Sequence, residues 1–141
     1  MAALARPPAR AEVDAVLDLL HASASQGEEE AYFALYTPDA VFVGTDATEV
    51  WTLPEFRAFA APHFARGSAW TYTPVERTVA FDEAGRTAWF HESLQHDRYG
   101  QVRGSGVLVR VGRRWLVAQY VLSFPVPNEA ALDVIARIRS D

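Results

Sequence analysis

In the run Trp89-Phe90-His91-Glu92, two side chains able to transfer a proton stand next to each other on a strand-like segment. Successive strand residues point to opposite faces, so beside a pocket either His91 or Glu92 faces inward and is a candidate general acid or base. Glu92 shares its face with Phe90 and Leu94, and apolar surroundings disfavour a charged carboxylate, raising its pKa toward a value useful in proton transfer. Arg103, across the next hairpin, opposes that shift if the two residues pair; the pair then reads as a buried bridge that fixes register. Asp46, with Glu49 and Trp51 close behind it, is a third candidate acid or base, set against an Asx-type turn and capping network ahead of the next helix. Gln119 stands in an otherwise apolar strand, where its amide needs either a neighbouring group or a ligand as partner.

Absences narrow the chemistry further. All thirteen cationic residues are arginine, and neither lysine nor cysteine occurs. Schiff-base enzymes, covalent pyridoxal phosphate sites, Walker-type phosphate lysines, thiolate nucleophiles, disulfides and iron–sulfur clusters are thereby excluded. His21, His63, His91 and His96 lack metal-ligand spacing, and Arg103-Gly104-Ser105-Gly106 lacks the first glycine of a nucleophile elbow. No metal and no cofactor are expected, and any reaction falls to carboxylates, histidine, tyrosine, arginine or hydroxyls.

The elements that must position these groups divide into two halves. Val13, Val16, Leu17, Leu19 and Leu20 recur at helical spacing and predict an amphipathic helix over Glu12 to Ala24. A second helix is read from Glu28 to Tyr36, stopped by Thr37-Pro38-Asp39, and a short strand from Ala40 to Val43. A third helix fits Leu53 to Phe64, with Thr52 as N-cap. Beyond it the period changes to two, predicting strands over Trp70 to Phe81, Arg86 to His96, Arg103 to Val111 and Trp115 to Phe124, joined by tight turns into an antiparallel meander. Asn128 then opens a terminal helix reaching about Arg139.

This order gives an α+β layer architecture with helices on one sheet face. In the last strand Trp115, Val117 and Val121 are read on one face, with Leu116, Ala118, Tyr120, Leu122 and Phe124 on the other, so both faces are apolar. The outer face then needs a cover, either a homodimer through the sheet or the C-terminal helix.

The chain has 141 residues, half of them apolar and 12% aromatic, with a formal charge of −5. One domain spanning residues 1–141 is expected, with residues 1–10 flexible. Its Ala/Pro/Arg-rich start lacks a secretory apolar segment, so a cytoplasmic location is expected. Scattered arginines give no basic stripe and no nucleic-acid partner, and no long uncharged apolar window predicts a membrane span.

The run from Tyr32 to Phe42, Tyr-Phe-Ala-Leu-Tyr-Thr-Pro-Asp-Ala-Val-Phe, resembles the helix-to-strand junction of SnoaL-like proteins in the NTF2-like superfamily. Gly104-Ser105-Gly106-Val107-Leu108-Val109 followed by Arg114-Trp115-Leu116-Val117-Ala118-Gln119-Tyr120 is similar to their last hairpin. The resemblance implies a cone: a strongly curved, mostly antiparallel sheet around a long helix, with a deep apolar pocket at its wide end. Relatives include ketosteroid isomerase, scytalone dehydratase, limonene epoxide hydrolase and polyketide cyclases, alongside members that catalyse nothing known. It implies a small hydrophobic ligand, with Tyr36, Trp51, Phe64, Trp70, Trp89, Arg103 and Gln119 as candidate lining residues. One reading is a cofactor-independent isomerase, dehydratase or cyclase; the other is a non-catalytic dimeric module. The C-terminal helix departs from the family pattern, either plugging the pocket or bracing a dimer.

Overall fold

The computed structural model describes residues 6–140. Its elements are α1 (Arg6–Ser25), α2 (Glu29–Phe33), β1 (Tyr36–Val43), β2 (Val50–Thr52), α3 (Leu53–Phe64), β3 (Thr73–Phe81), β4 (Thr87–His96), β5 (Gly100–Val111), β6 (Arg114–Ser123) and α4 (Ala131–Arg139). The architecture is α+β, with the N-terminal helices set against one six-stranded sheet in the order β2-β1-β6-β5-β4-β3. Strands β3 to β6 form the expected antiparallel meander, whereas β1 pairs parallel to β6.

Local chemistry explains most element boundaries. The predicted helix over Leu53 to Phe64 stands as read: Thr52 and Glu55 form a reciprocal capping box, each side chain accepting the other's backbone N–H. The second helix is shorter than expected. Strand geometry begins at Tyr36, so Thr37-Pro38-Asp39 lies inside β1. The pairing of β1 with β6 shifts register between Tyr36 and Val41, an irregularity that suits a proline with no N–H to donate. Of the ten residues expected to be flexible, residues 1–5 lie outside those described. Arg6 already belongs to α1, and Arg10 donates to the Arg77 carbonyl at 2.8 Å, tying that end to β3.

The core lies between α1 and the inner sheet face. Val13, Leu17 and Leu20 of α1 are buried against Phe90 and Leu94 of β4, Leu108 of β5, and Trp115 and Val117 of β6. At about 25 cal/mol per Å2, burial of such side chains is the main stabilising contribution. Strand β6 corrects the alternation read from sequence. Leu108 pairs with Val117 but Val107 pairs with Gln119, which makes Ala118 an extra, bulged residue. The bulge resets the alternation, so Trp115, Val117, Tyr120 and Leu122 all face inward, while Leu116, Gln119 and Val121 face outward.

The outer face carries Val41, Val43, Trp89, Val107, Val109, Leu116 and Val121, half-buried or exposed. The C-terminal helix does not cover it: α4 buries none of its residues, and Leu132 and Ile138 are 79% and 67% exposed. Nor does Asn128 cap that helix with its side chain, because a 3-10 turn at Asn128–Ala130 intervenes. No helix among the described residues is long and apolar enough to cross a membrane.

Trp115, 2% exposed, packs edge-on against Phe81 while its indole N–H has no hydrogen-bond partner among the described residues. Trp115→Ala should therefore cost about 3–5 kcal/mol in urea unfolding, whereas Trp115→Phe, which deletes an unpaired donor and keeps most of the volume, should cost about 1.5 kcal/mol or less. A Trp115→Ala cost below about 1 kcal/mol would remove Trp115 from the core.

Candidate functional site

Glu92 faces inward and His91 outward, resolving the alternative that strand geometry left open. The partner of Glu92 follows from hairpin register. The β3–β4 turn pairs Phe81 with Ala88, and four steps on it pairs Arg77 with Glu92. Arg77 Nε donates to Glu92 Oε1 at 2.8 Å, and Arg77 Nη1 reaches Asp14 and Asp18 on α1 at 3.1 and 3.0 Å. The candidate partner Arg103 pairs instead with Ser93, because the β4–β5 turn sets Glu92 opposite Gly104. One residue of register places Arg103 on the exposed face.

The second carboxylate oxygen serves two further groups. His21 Nε2 lies 2.8 Å from Glu92 Oε2, and the Tyr120 hydroxyl donates to the same oxygen at 2.6 Å. Burial pushes the Glu92 carboxyl upward. It is outweighed by His21, through its hydrogen bond and its charge when protonated, by the Tyr120 hydrogen bond and by the charge of Arg77, and these hold the group below its ordinary value. Burial together with the neighbouring carboxylate drives Tyr120 well above its ordinary value, so it stays a phenol donor. An ionised carboxylate only accepts, so the His21 hydrogen sits on Nε2 and Nδ1 of the neutral ring keeps its lone pair. Nδ1 has no hydrogen-bond partner among the described residues.

Gly104 makes this convergence possible. A Cβ there would stand 2.0 Å from the Tyr120 hydroxyl oxygen and 3.0 Å from Glu92 Oε2. The glycine therefore leaves room for the Tyr120–Glu92 bond.

His21 and Tyr120 form part of the wall of a cavity of about 460 Å3. Its sides are largely aromatic. Phe42 stacks on Phe56 at 4.0 Å and on Tyr120 at 5.7 Å, and Trp51 and Trp70 pack around Phe56. Exposed Arg98 and Tyr99, with half-buried His96 and Glu49, also line it. Glu92 itself is not part of the wall; it sits behind His21 and Tyr120.

Of the residues singled out from sequence, Trp51 and Trp70 line this cavity. Tyr36 and Phe64 are core residues one layer behind the wall. Trp89 and Gln119 are exposed on the outer face, Gln119 because of the Ala118 bulge. Asp46 is exposed and accepts the Thr48 N–H at 2.9 Å, the Asx-type turn that was its alternative. Among the described residues, no group of three or more His, Cys, Asp or Glu side chains is placed to hold a metal ion.

His21, Arg77 and Tyr120 were missed, although His21 follows Val13 and Leu17 at four-residue spacing on the buried stripe of α1. Counting back from the β3–β4 turn finds Arg77. Tyr120 had no comparable signal, since a single-residue bulge decides its face.

The chain is similar to an NTF2-like protein of unknown function from Pseudomonas putida KT2440, at 16% identity over 88% of this chain and 92% of that one, with a TM-score of 0.72. A candidate dehydratase of the NTF2-like family from Streptomyces avermitilis aligns at 14% identity over 86% and 99%, with a TM-score of 0.73. An NTF2-like protein from Cytophaga hutchinsonii aligns at 13% over 82% and 98%, with a TM-score of 0.67. At such identities the shared property is the fold. No curated protein matches the sequence. The family model for the SnoaL-like domain matches residues 13–127, from the buried stripe of α1 to just past β6, and the chain belongs to that family.

Proposed function

We propose that this chain is a small-molecule pocket protein, a single cytoplasmic domain that binds a small hydrophobic compound and moves a proton on it without a cofactor. One observation carries the reading: a buried histidine at the cavity wall is fixed through Nε2 by Glu92, leaving Nδ1 without a hydrogen-bond partner among the described residues. The transferring group is then His21, and Glu92 is a positioning residue. Both Glu92 oxygens are already occupied by Arg77, His21 and Tyr120, so the carboxylate is a poor proton acceptor but a good anchor. Isomerisation, dehydration and cyclisation all need such a proton shuttle beside an apolar substrate, and the aromatic walls supply the apolar part.

A second reading is favoured by the Arg77–Glu92 pair and the open outer face: a non-catalytic dimeric module whose carboxylate is structural. The outer-face valines with Trp89 are the surface through which a homodimer would form. In that dimer Trp89→Asp should give the monomer mass in light scattering while leaving the circular dichroism spectrum unchanged. A mass unaffected by the substitution would move the interface elsewhere.

The two readings separate on binding and turnover. A thermal-shift screen of steroids, polyketide-like aromatics and terpenoids should find a stabilising compound, since a ligand at 100 times its Kd adds about 2.7 kcal/mol. His21→Gln should still bind that compound but lose turnover by about 100-fold or more, the usual scale of general acid–base catalysis. Binding without turnover by the wild type would favour the module.

The depressed Glu92 carboxyl has a pH signature. Its folded value lies below its ordinary value of 4.5, so its contribution to stability is present above pH 4.5 and is lost as pH falls through the folded value. Glu92→Gln should therefore be less stable at neutral pH, by about 1.5–3 kcal/mol, because Arg77 retains Asp14 and Asp18 as partners. The gap should close as pH falls below 4.5. A gap that stays constant down to pH 3 in urea titrations would show that the fold does not depress the Glu92 carboxyl.

A further inference from the structure

Six of the thirteen large apolar side chains that stand exposed among the described residues lie between Phe124 and Ile138, beyond the last strand. In α4 they are ordered: Ala131, Val134, Ile135 and Ile138 recur at the spacing of one helix face, with Asp133 and Arg137 on the other. None of these residues is buried. A helix of nine residues is too short to hold itself in water, where about 12–15 is the marginal length, so its stability must come from packing that one protomer does not supply.

The outer sheet face has the complementary need. Trp89 pairs with Val107 and Val109 with Leu116, while Val41 and Val43 stand beside β6 on its other edge, so an apolar band containing Gln119 crosses four strands from β4 to β1. Three strand spacings of about 4.8 Å make the band about 14 Å wide. Nine residues rising about 1.5 Å each make α4 about 13 Å long. One such helix laid across the strands covers the band.

The connection decides whose sheet receives it. Phe124 packs edge-on against Tyr99 of the β4–β5 turn at 5.2 Å, which pins the start of the strap that follows β6. Pro125 and Pro127 then keep the chain extended, Pro127 having φ −58° and ψ 141°. No glycine follows Gly112 to reverse its direction. A strap pinned at one end and stiffened by two prolines holds α4 off its own sheet.

We propose that the partner of α4 is a second copy of this chain: in a symmetric dimer each α4 lies across the outer sheet face of the other protomer. The exchange closes, because each copy has one helix to give and one face to cover. The helix, its strap and the outer face together supply from each copy about the 20 residues a side that a standard interface uses. The SnoaL-like match ends at residue 127, before α4, so this arm is an addition to the family domain. The inference rests on the reading of the outer face as a dimer surface and adds what lies on it.

The test exploits a chain without cysteine, in which Val107→Cys/Ile135→Cys introduces the only two thiols. Mild oxidation of the double variant should give a dimer band on a non-reducing gel, and neither single variant should give it. In sedimentation equilibrium Ile135→Asp, a change at an exposed position, should raise the dimer Kd at least about tenfold with the circular dichroism spectrum unchanged, whereas Asp133→Asn on the opposite helix face should not. An internal disulfide that leaves the double variant at monomer size would put α4 on its own sheet and overturn the proposal. If the wild type is a dimer that Trp89→Asp splits but Ile135→Asp does not, only the placement of α4 fails. If the wild type is a monomer up to about 100 μM, weaker than a standard interface gives, the reading of the outer face fails and takes the placement with it.

Discussion

A carboxylate that is 2% exposed inside a hydrophobic core must be either neutralised or satisfied, and the arrangement around Glu92 follows from that demand. Arg77 brings opposite charge to one oxygen, while His21 and Tyr120 bring donors to the other. These groups come from α1, β3, β4 and β6, so one side chain fixes how the long helix lies across the sheet. Arg77 extends the tie by bonding Asp14 and Asp18 on the same helix that carries His21. Removing the Glu92 carboxylate takes the partner from the buried His21 Nε2–H and Tyr120 hydroxyl together, which costs more than either bond itself contributes.

The cavity is a by-product of the same constraint. Holding His21 and Tyr120 on Glu92 turns one face of each toward the space framed by Phe42, Phe56, Trp51 and Trp70. Gly104 keeps the approach open, and the Ala118 bulge turns Tyr120 inward. Two buried polar residues of the wall are each held by a second residue, His21 by Glu92 and Tyr32 by Tyr36. Preorganised groups of this kind suit either tight recognition or proton transfer.

Most of the fold was legible in the sequence because periodicity and turn chemistry are local. The change of period after α3, the tight turns of the meander and the Thr52–Glu55 capping box each carry their signal within a few residues. The candidate site was less legible, since it depends on register. The candidate pairing of Glu92 with Arg103 is off by one residue, enough to put the arginine on the other face. The Ala118 bulge likewise exchanged the expected faces of Gln119 and Tyr120, and no residue type announces a bulge. His21 was hidden for a different reason: on a helix stripe of valine and leucine a histidine reads as a boundary until its partner on β4 is known.

The central claim is that Glu92 fixes the ring orientation and tautomer of His21, and nitrogen-15 NMR of the His21 imidazole tests it most directly. At a pH where the ring is neutral, Nε2 should carry the hydrogen and Nδ1 should give the signal of an unprotonated nitrogen, with the preference lost in Glu92→Gln. A ring with its hydrogen on Nδ1, or one averaging between tautomers in the wild-type protein, would contradict the account.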